Sequence, residues 1–209
     1  TCRKRCEHTS YLKRTLSAVL YKIIDWRIYT SYKKDPQSMS DQENSLIELT
    51  KDYFNKDPLF TEKNRKDRYI ERLQDGHRCY AYTQKGKISA YFWVSDSNAN
   101  LTQFAFKIKL SIPKNTAYIW DCRTAPDFKR QGLYSMGLSE ISRIYSDKYL
   151  SINCIKHNIA SKRGIEKANF IKHTHIMAVI LLQKYSFCWL SKYPFKIYIN
   201  SIDMHRLID

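Results

Sequence analysis

Residues 117–141, AYIWDCRTAPDFKRQGLYSMGLSEI, constrain the fold more than any other part of this 209-residue chain. They read as a strand, a turn, and a helix that opens at Gly132, with Lys129, Arg130 and Gln131 just before it. The first N–H groups of a helix have no partner inside it, and aligned peptide dipoles place partial positive charge there. Such an end holds anions, phosphate above all. Gly132 has no side chain, so an anion can approach the backbone. The chain has only 5 glycines, which gives each one more weight. Gly76 follows a helical pattern and reads as its stop. Gly86 sits between two strand-like runs and reads as a hairpin turn. Gly132, Gly137 and Gly164 fall in helix-like segments, where glycine costs about 0.5–1 kcal/mol relative to alanine. Close approach of a ligand accounts for Gly132. For Gly137 and Gly164, helix-to-sheet packing accounts for the residue equally well.

Composition narrows the class. Hydrophobic residues make up 43% of the chain, enough for a packed core rather than a disordered tail. The formal charge is +16, which would attract nucleic acid, acidic membrane or phosphorylated ligands. The lysines and arginines are scattered, however, which is also how a solvated basic surface reads, and no signature-bearing nucleic-acid motif is present. The six cysteines follow no framework spacing. Cys79, Cys122 and Cys154 lie in apolar strand-like runs and read as small reduced core residues. Cys2, Cys6 and His8 have no second ligand pair at zinc spacing, so no metal is expected. No run reaches the ~18–20 apolar residues of a membrane span, and the first residues are charged, without a signal-type apolar core. The expectation is a cytoplasmic protein with no membrane partner.

Periodicity places the elements. Leu12, Leu16, Val19, Leu20 and Ile23 share one helical face over residues 10–24. Trp26, Ile28, Thr30 and Tyr32 alternate as a strand. A capping box at residues 40–43 predicts a helix burying Leu46, Leu49, Tyr53 and Phe54. A second helix is expected over 61–74, with Tyr69, Ile70 and Leu73 inward. Strands are expected over 77–83, 87–95 and 103–110, the second with Ile88, Ala90, Phe92 and Val94 on one face. Residues 117–124 and 150–156 are strands, and 158–168 is a helix. Strands over 171–182 and 195–200 are separated by a loop near 186–193. This order is a single α/β domain with a mixed sheet.

With that order and the Gly132 turn together, the chain resembles the GNAT superfamily of acyl-CoA N-acyltransferases. The family motif Gln/Arg-x-x-Gly-x-Gly/Ala is matched at Lys129-Arg130-Gln131-Gly132-Leu133-Tyr134, with Lys129 in place of Gln or Arg and Tyr134 in place of a small residue. Thr124-Ala125-Pro126-Asp127-Phe128 resembles the Val-x-Pro-x-Tyr run that leads into it. Downstream, Asn158, Ser161, Ile165, Glu166, Lys167, Asn169 and Phe170 follow a second family pattern without a gap. Ile165 replaces its Tyr and Asn169 its Gly. The resemblance covers roughly residues 61–209 and plausibly begins at Trp26. It implies a mostly antiparallel sheet that splays between strands 117–124 and 150–156, flanked by helices. Residues 26–209 would form the acyltransferase domain and residues 1–25 an N-terminal helical extension.

The resemblance also implies chemistry. Acetyl-CoA or another acyl-CoA would be the co-substrate, and an amine would attack its thioester directly. Backbone N–H groups from Arg130 to Tyr134, among them those of Gln131, Gly132 and Leu133, would cradle the pyrophosphate, with charge from Lys129 and Arg130. An N–H near Arg123 or Thr124 would polarise the thioester carbonyl. Asn158 would either hydrogen-bond the pantetheine arm or cap its own helix; Ser161 follows it in the same pattern. The usual phenol that protonates the leaving thiolate is absent at Ile165. On strand 117–124, alternation puts Tyr118, Trp120, Cys122 and Thr124 on one face and Asp121 and Arg123 on the other. Asp121 is the only carboxylate there and the first candidate base, unless Arg123 ties it into an ion pair. Tyr118 is the second candidate, or a core aromatic. His173 and His175 are weaker ones. Two alternatives to amine acylation remain: a CoA-binding domain with little turnover, and transfer to an RNA-linked aminoacyl group, which the +16 charge would suit.

Overall fold

The computed structural model describes residues 24–36, 45–61, 65–97, 101–103, 108–181, 185–191, 193–199 and 201–203. The helix expected over 10–24 lies outside them except for Ile24, which opens a strand, and the capping box at 40–43 lies outside them altogether. The described residues begin with β1 (Ile24–Lys34) and β2 (Ile47–Glu48), then α1 (Lys51–Lys56), α2 (Pro58–Thr61) and α3 (Arg65–Gln74). Next come β3 (Arg78–Gln84), β4 (Lys87–Ser95), β5 (Leu101–Gln103), β6 (Ile108–Ser111) and β7 (Thr116–Thr124). The second half holds α4 (Leu133–Ile144), β8 (Tyr149–Ile155), α5 (Ile159–Lys167), β9 (Ile171–Leu181), β10 (Tyr185–Leu190), β11 (Tyr193–Ile199) and β12 (Ser201–Asp203).

Nine of these strands form one sheet in the order β11-β10-β9-β1-β8-β7-β4-β3-β2. Every neighbouring pair in it is antiparallel except β7–β8. This is the mixed, mostly antiparallel α/β sheet expected from the sequence. Both faces are covered. On one, Leu49, Phe54, Phe60 and Tyr69 from the α1–α3 region pack on Tyr91, Trp93, Tyr118 and Trp120. On the other, Leu133, Leu138 and Ile141 of α4 and Ile165 of α5 pack on Phe92, Ile119 and Ile152. β4 feeds both layers, so it is buried along almost its whole length. That is why it reads as a nearly continuous apolar run.

Four expectations change. The helix predicted to bury Leu46 starts later, at Lys51; Leu46 precedes it in extended chain beside β2, and Tyr53 is exposed. The run 103–110 is two strands, since Gln103 pairs with Ile108 and the chain therefore reverses between them; period-two alternation fits one strand or the two arms of a hairpin equally. The loop expected near 186–193 holds β10, whose aromatic residues satisfy a strand once β9 and β11 supply partners on both edges. Ile88 packs with Tyr91 and Trp93 rather than with Phe92, because the β3–β4 register shifts where Thr83 faces Ile88.

One buried carboxylate ties the chain before α1 to the second helical layer. Glu140 of α4 accepts hydrogen bonds from the backbone N–H groups of Ser45 and Leu46, each at 2.9 Å, and from the Tyr82 hydroxyl at 2.6 Å. Burial and this bond together push the Tyr82 phenol above its ordinary range. Glu140→Leu leaves these donors without an acceptor. It should therefore destabilise the fold by about 2–4 kcal/mol, read as a lower urea midpoint at unchanged slope.

Candidate active site

The only parallel pairing in the main sheet is short. It runs from Thr116 opposite Tyr149 to Ile119 opposite Ile152, although β7 continues to Thr124 and β8 to Ile155. Beyond that point the outer edge of β7 stays with β4, and that of β8 stays with β1, where Asn153 faces Ser31 and Ile155 faces Tyr29. The facing edges separate, and a cavity of about 380 Å³ opens between them. The predicted splay is thus present at the predicted strands.

A bulge in β7 shapes one wall. Trp120 faces Trp93 and Arg123 faces Tyr91, so Asp121 and Cys122 together stand opposite Phe92. Asp121 has φ +41°, left-handed backbone that a non-glycine residue adopts at a cost of roughly 1–3 kcal/mol. The bulge breaks the alternation expected from sequence: Tyr118 and Trp120 remain on the α1–α3 face, but Cys122 packs against the α4–α5 side. Asp121 turns to α3. Its Oδ2 lies 2.6 Å from Nη1 of Arg72, so the ion-pair partner is Arg72, not Arg123. The Arg72 guanidinium stacks 4.4 Å from the Trp120 ring centroid and 5.1 Å from those of Tyr69 and Trp93. Caged aromatics and one carboxylate fix its position.

The opposite end of the cavity belongs to the second helical layer. Tyr134, Asn158 and Ser161 line it. The Tyr134 hydroxyl and Ser161 Oγ are 3.0 Å apart, and the Tyr134 ring stacks on Phe92. A Cβ on Gly164 would lie 2.4 Å from that ring, and one on Gly137 would lie 2.2 Å from Phe92. Both glycines are therefore packing residues. Burial pushes the Tyr134 phenol well above its ordinary range, so it stays protonated. Burial does the same, more weakly, to the Cys154 thiol, and strongly to that of Cys122. Asn158 caps α5: its Oδ1 accepts from Ser161 N–H at 3.1 Å.

The structure thus brings Tyr118, Asp121, Tyr134, Asn158 and Ser161 to one cavity. Arg123 and Thr124 lie further along β7, paired with β4, and do not line it. Lys129, Arg130 and Gln131 are exposed on the turn before α4, while the Leu133 side chain is buried. In that turn Arg130 has φ +66° and Gly132, the residue before α4, has φ +78°. The nearest atom to a Cβ on Gly132 would be the Met136 sulfur at 3.9 Å. Ile165 is wholly buried between α5 and the sheet. Asn169 has φ +61° just past α5, so this departure from the glycine pattern keeps the left-handed stop that Asn tolerates next best. His175 sits beside Thr30, and neither it nor His173 lines the cavity.

Sequence reasoning missed Arg72 and Asn153, which also line the cavity. Arg72 stands three residues after Tyr69, on the inward face of α3, and that spacing was the available signal. Asn153 was the one amide in an apolar strand run.

No protein-family model matches the chain, and no curated protein matches it in sequence. Solved structures do match in fold. An acetyltransferase from the GNAT family of Colwellia psychrerythraea superposes with a TM-score of 0.52 at 13% identity, covering 79% of this chain and 60% of that one. A GNAT-family protein from Novosphingobium aromaticivorans gives 0.51 at 15% identity, covering 75% and 64%. A conserved protein of unknown function from Staphylococcus epidermidis gives 0.50 at 7% identity, covering 77% and 63%. The chain thus spans somewhat under two thirds of these structures, and its fold is that of the GNAT acetyltransferases. Among the described residues, no helix is long and apolar enough to cross a membrane.

The capping role of Asn158 gives a clean stability test. Asn158→Ala removes the acceptor for Ser161 N–H and should cost about 0.5–2 kcal/mol. Asn158→Asp keeps an acceptor and should stay near wild type, both measured by urea unfolding.

Proposed function

We propose that this chain transfers an acetyl or other acyl group from acyl-CoA to a primary amine while both are bound. The observation that carries this reading is the early end of β7–β8 pairing. It leaves two unladdered strand edges facing a cavity, with Tyr134, in the first turn of the helix that opens after Gly132, on its wall. The residues present fit the co-substrate. Exposed Lys129, Arg130 and Gln131 surround a turn with two left-handed residues, and the space at Gly132 is open. Such turns gather N–H groups into anion-binding concavities. Lys129, Arg130 and the backbone from Arg130 to Tyr134 would hold the pyrophosphate. N–H groups at Arg123 or Thr124 would polarise the acyl carbonyl, and Asn158 and Ser161 would meet the pantetheine arm. Acyl-CoA, when bound, supplies the activated thioester.

In the transfer, the amine nitrogen forms a bond to the acyl carbon as the carbon–sulfur bond breaks. CoA leaves as a thiolate, and the surplus proton of the amine passes to a base. Asp121 is the first candidate, through the oxygen that Arg72 does not take; Tyr118, wholly buried at the splay, is the second. The protonated Tyr134 hydroxyl is the phenol on the α5 side of the cavity, where Ile165 offers none. Cys122 and Cys154 are held as thiols. That favours direct attack by the amine over an acyl-cysteine route, since the thiolate is the nucleophilic form. The absence of a phenol at Ile165 and of a glycine at Asn169 favours one other reading, a CoA-binding domain with little turnover.

Two measurements test this. Gly132→Glu places a carboxylate where the pyrophosphate would sit; calorimetry should find acetyl-CoA affinity reduced by about tenfold or more, with unchanged circular dichroism. Lys129→Ala should weaken it less, because backbone donors remain. Equal affinities for wild type and Gly132→Glu would mean the anion site is elsewhere. For the base, Asp121→Asn should lower thiol release at neutral pH and saturating amine by ~10²-fold, while Tyr118→Phe does little. The reverse pattern would move the role to Tyr118.

A further inference from the structure

Asn153 is the first residue of β8 past the end of its pairing with β7. Its neighbours Ile152 and Cys154 point into the α4–α5 layer, so Asn153 faces the other side, where Tyr118 and Trp120 lie. Asn153 is among the residues that line the cavity. Both Oδ1 and Nδ2 are buried, and neither has a hydrogen-bond partner. Ser31, directly across β1, and Ser151, two residues earlier, also have buried hydroxyls without partners. A buried amide left unpaired costs on the order of 1–3 kcal/mol, so a sheet interior selected for stability alone would place an apolar residue here. Arg72 Nη1 is taken by Asp121, and the unpartnered Arg72 Nε is a donor only. Asn153 is thus the cavity residue with a donor and an acceptor both uncommitted.

We infer that Asn153 binds the acceptor: its Oδ1 accepts an N–H of the attacking amine and holds the nitrogen lone pair toward the acyl carbon. This rests on the acyl-transfer reading above. An amide cannot take the proton, so Asn153 orients the nucleophile and the base remains a separate group. A hydrogen bond lost at this point removes orientation of the nucleophile and leaves the co-substrate contacts on α4 untouched.

The test uses Asn153→Leu and Asn153→Asp in the full chain. Thiol release from acetyl-CoA is followed with ethanolamine, 1,4-diaminobutane, 2-phenylethylamine and L-lysine as acceptors. Asn153→Leu should leave acetyl-CoA affinity by calorimetry within about twofold and lower kcat/KM for the best amine by about tenfold or more. Its thermal midpoint should equal or exceed that of wild type, because an unsatisfied amide has been replaced by an apolar side chain of similar size. Asn153→Asp keeps the acceptor oxygen and adds a group able to take a proton. It should retain more activity than Asn153→Leu and add a new acidic limb to the pH–rate profile. Unchanged kcat/KM in Asn153→Leu, or a lower midpoint with unchanged kinetics, would make Asn153 structural and overturn the assignment while acyl transfer stands. If wild type binds acetyl-CoA but releases no thiol with any of the four amines, the transfer reading and this assignment fall together.

Discussion

β7 has to satisfy two partners that pull it apart. Its outer edge stays laddered to β4 up to Thr124, while its inner edge releases β8 after Ile119. A flat strand cannot do both. The extra residue at Asp121–Cys122 bends β7 and adds local twist, which bulges do wherever they occur. The cavity, the turning of Asp121 toward α3 and the crossing of Cys122 to the other face all follow from that one insertion. The strain at Asp121 persists because the ladder on either side and the Arg72 contact over-determine it.

Arg72 then links this backbone feature to the first helical layer. A guanidinium buried among Tyr69, Trp93 and Trp120 is costly unless charge and aromatic faces compensate it. Here one flat cation is stacked on rings that belong to α3, β4 and β7, and its Nη1 donates to Asp121 at the bulge. The position of α3 over the cavity is therefore set by the same contact that holds Asp121. On the other layer, the Tyr134–Ser161 hydrogen bond and the room that Gly164 leaves for the Tyr134 ring bring α4 and α5 together, while the room that Gly137 leaves for Phe92 brings α4 down onto β4.

The sequence made the turn before α4 legible and the walls of the cavity less so. Gly132 and the residues before it announced a helix start because few residue types suit that geometry. Asn169 was readable as a departure from pattern, and its left-handed φ explains why the departure is tolerated. Periodicity failed where tertiary partners decide. The residues of β10 become a strand only between two neighbours, and β5–β6 become a hairpin only through their mutual register. Cys122 and Ile88 changed face because a register shift resets parity, and no local composition marks such a shift. Asn153 stood out only as an amide in an apolar run, and the absence of partners in three dimensions is what distinguishes it from a tolerated polar residue.

The first of the described strands, β1, lies in the middle of the sheet, between β8 and β9. Thr30 touches His175, 145 positions away. On a ribosome, β1 is made before both of its neighbours and has no edge to join until the residues of β8 have emerged, which at about 5–20 residues per second is several seconds later; its second edge stays open until β9 follows. Until then the half of the molecule that contains β3, β4 and β7 can assemble around its own hairpin and helices. Closure of the sheet is thus a late event of high contact order, the slow kind of pairing. During that interval the unpaired β1 and the open edge of β8 are mutually complementary surfaces, and two nascent chains held close together could exchange them.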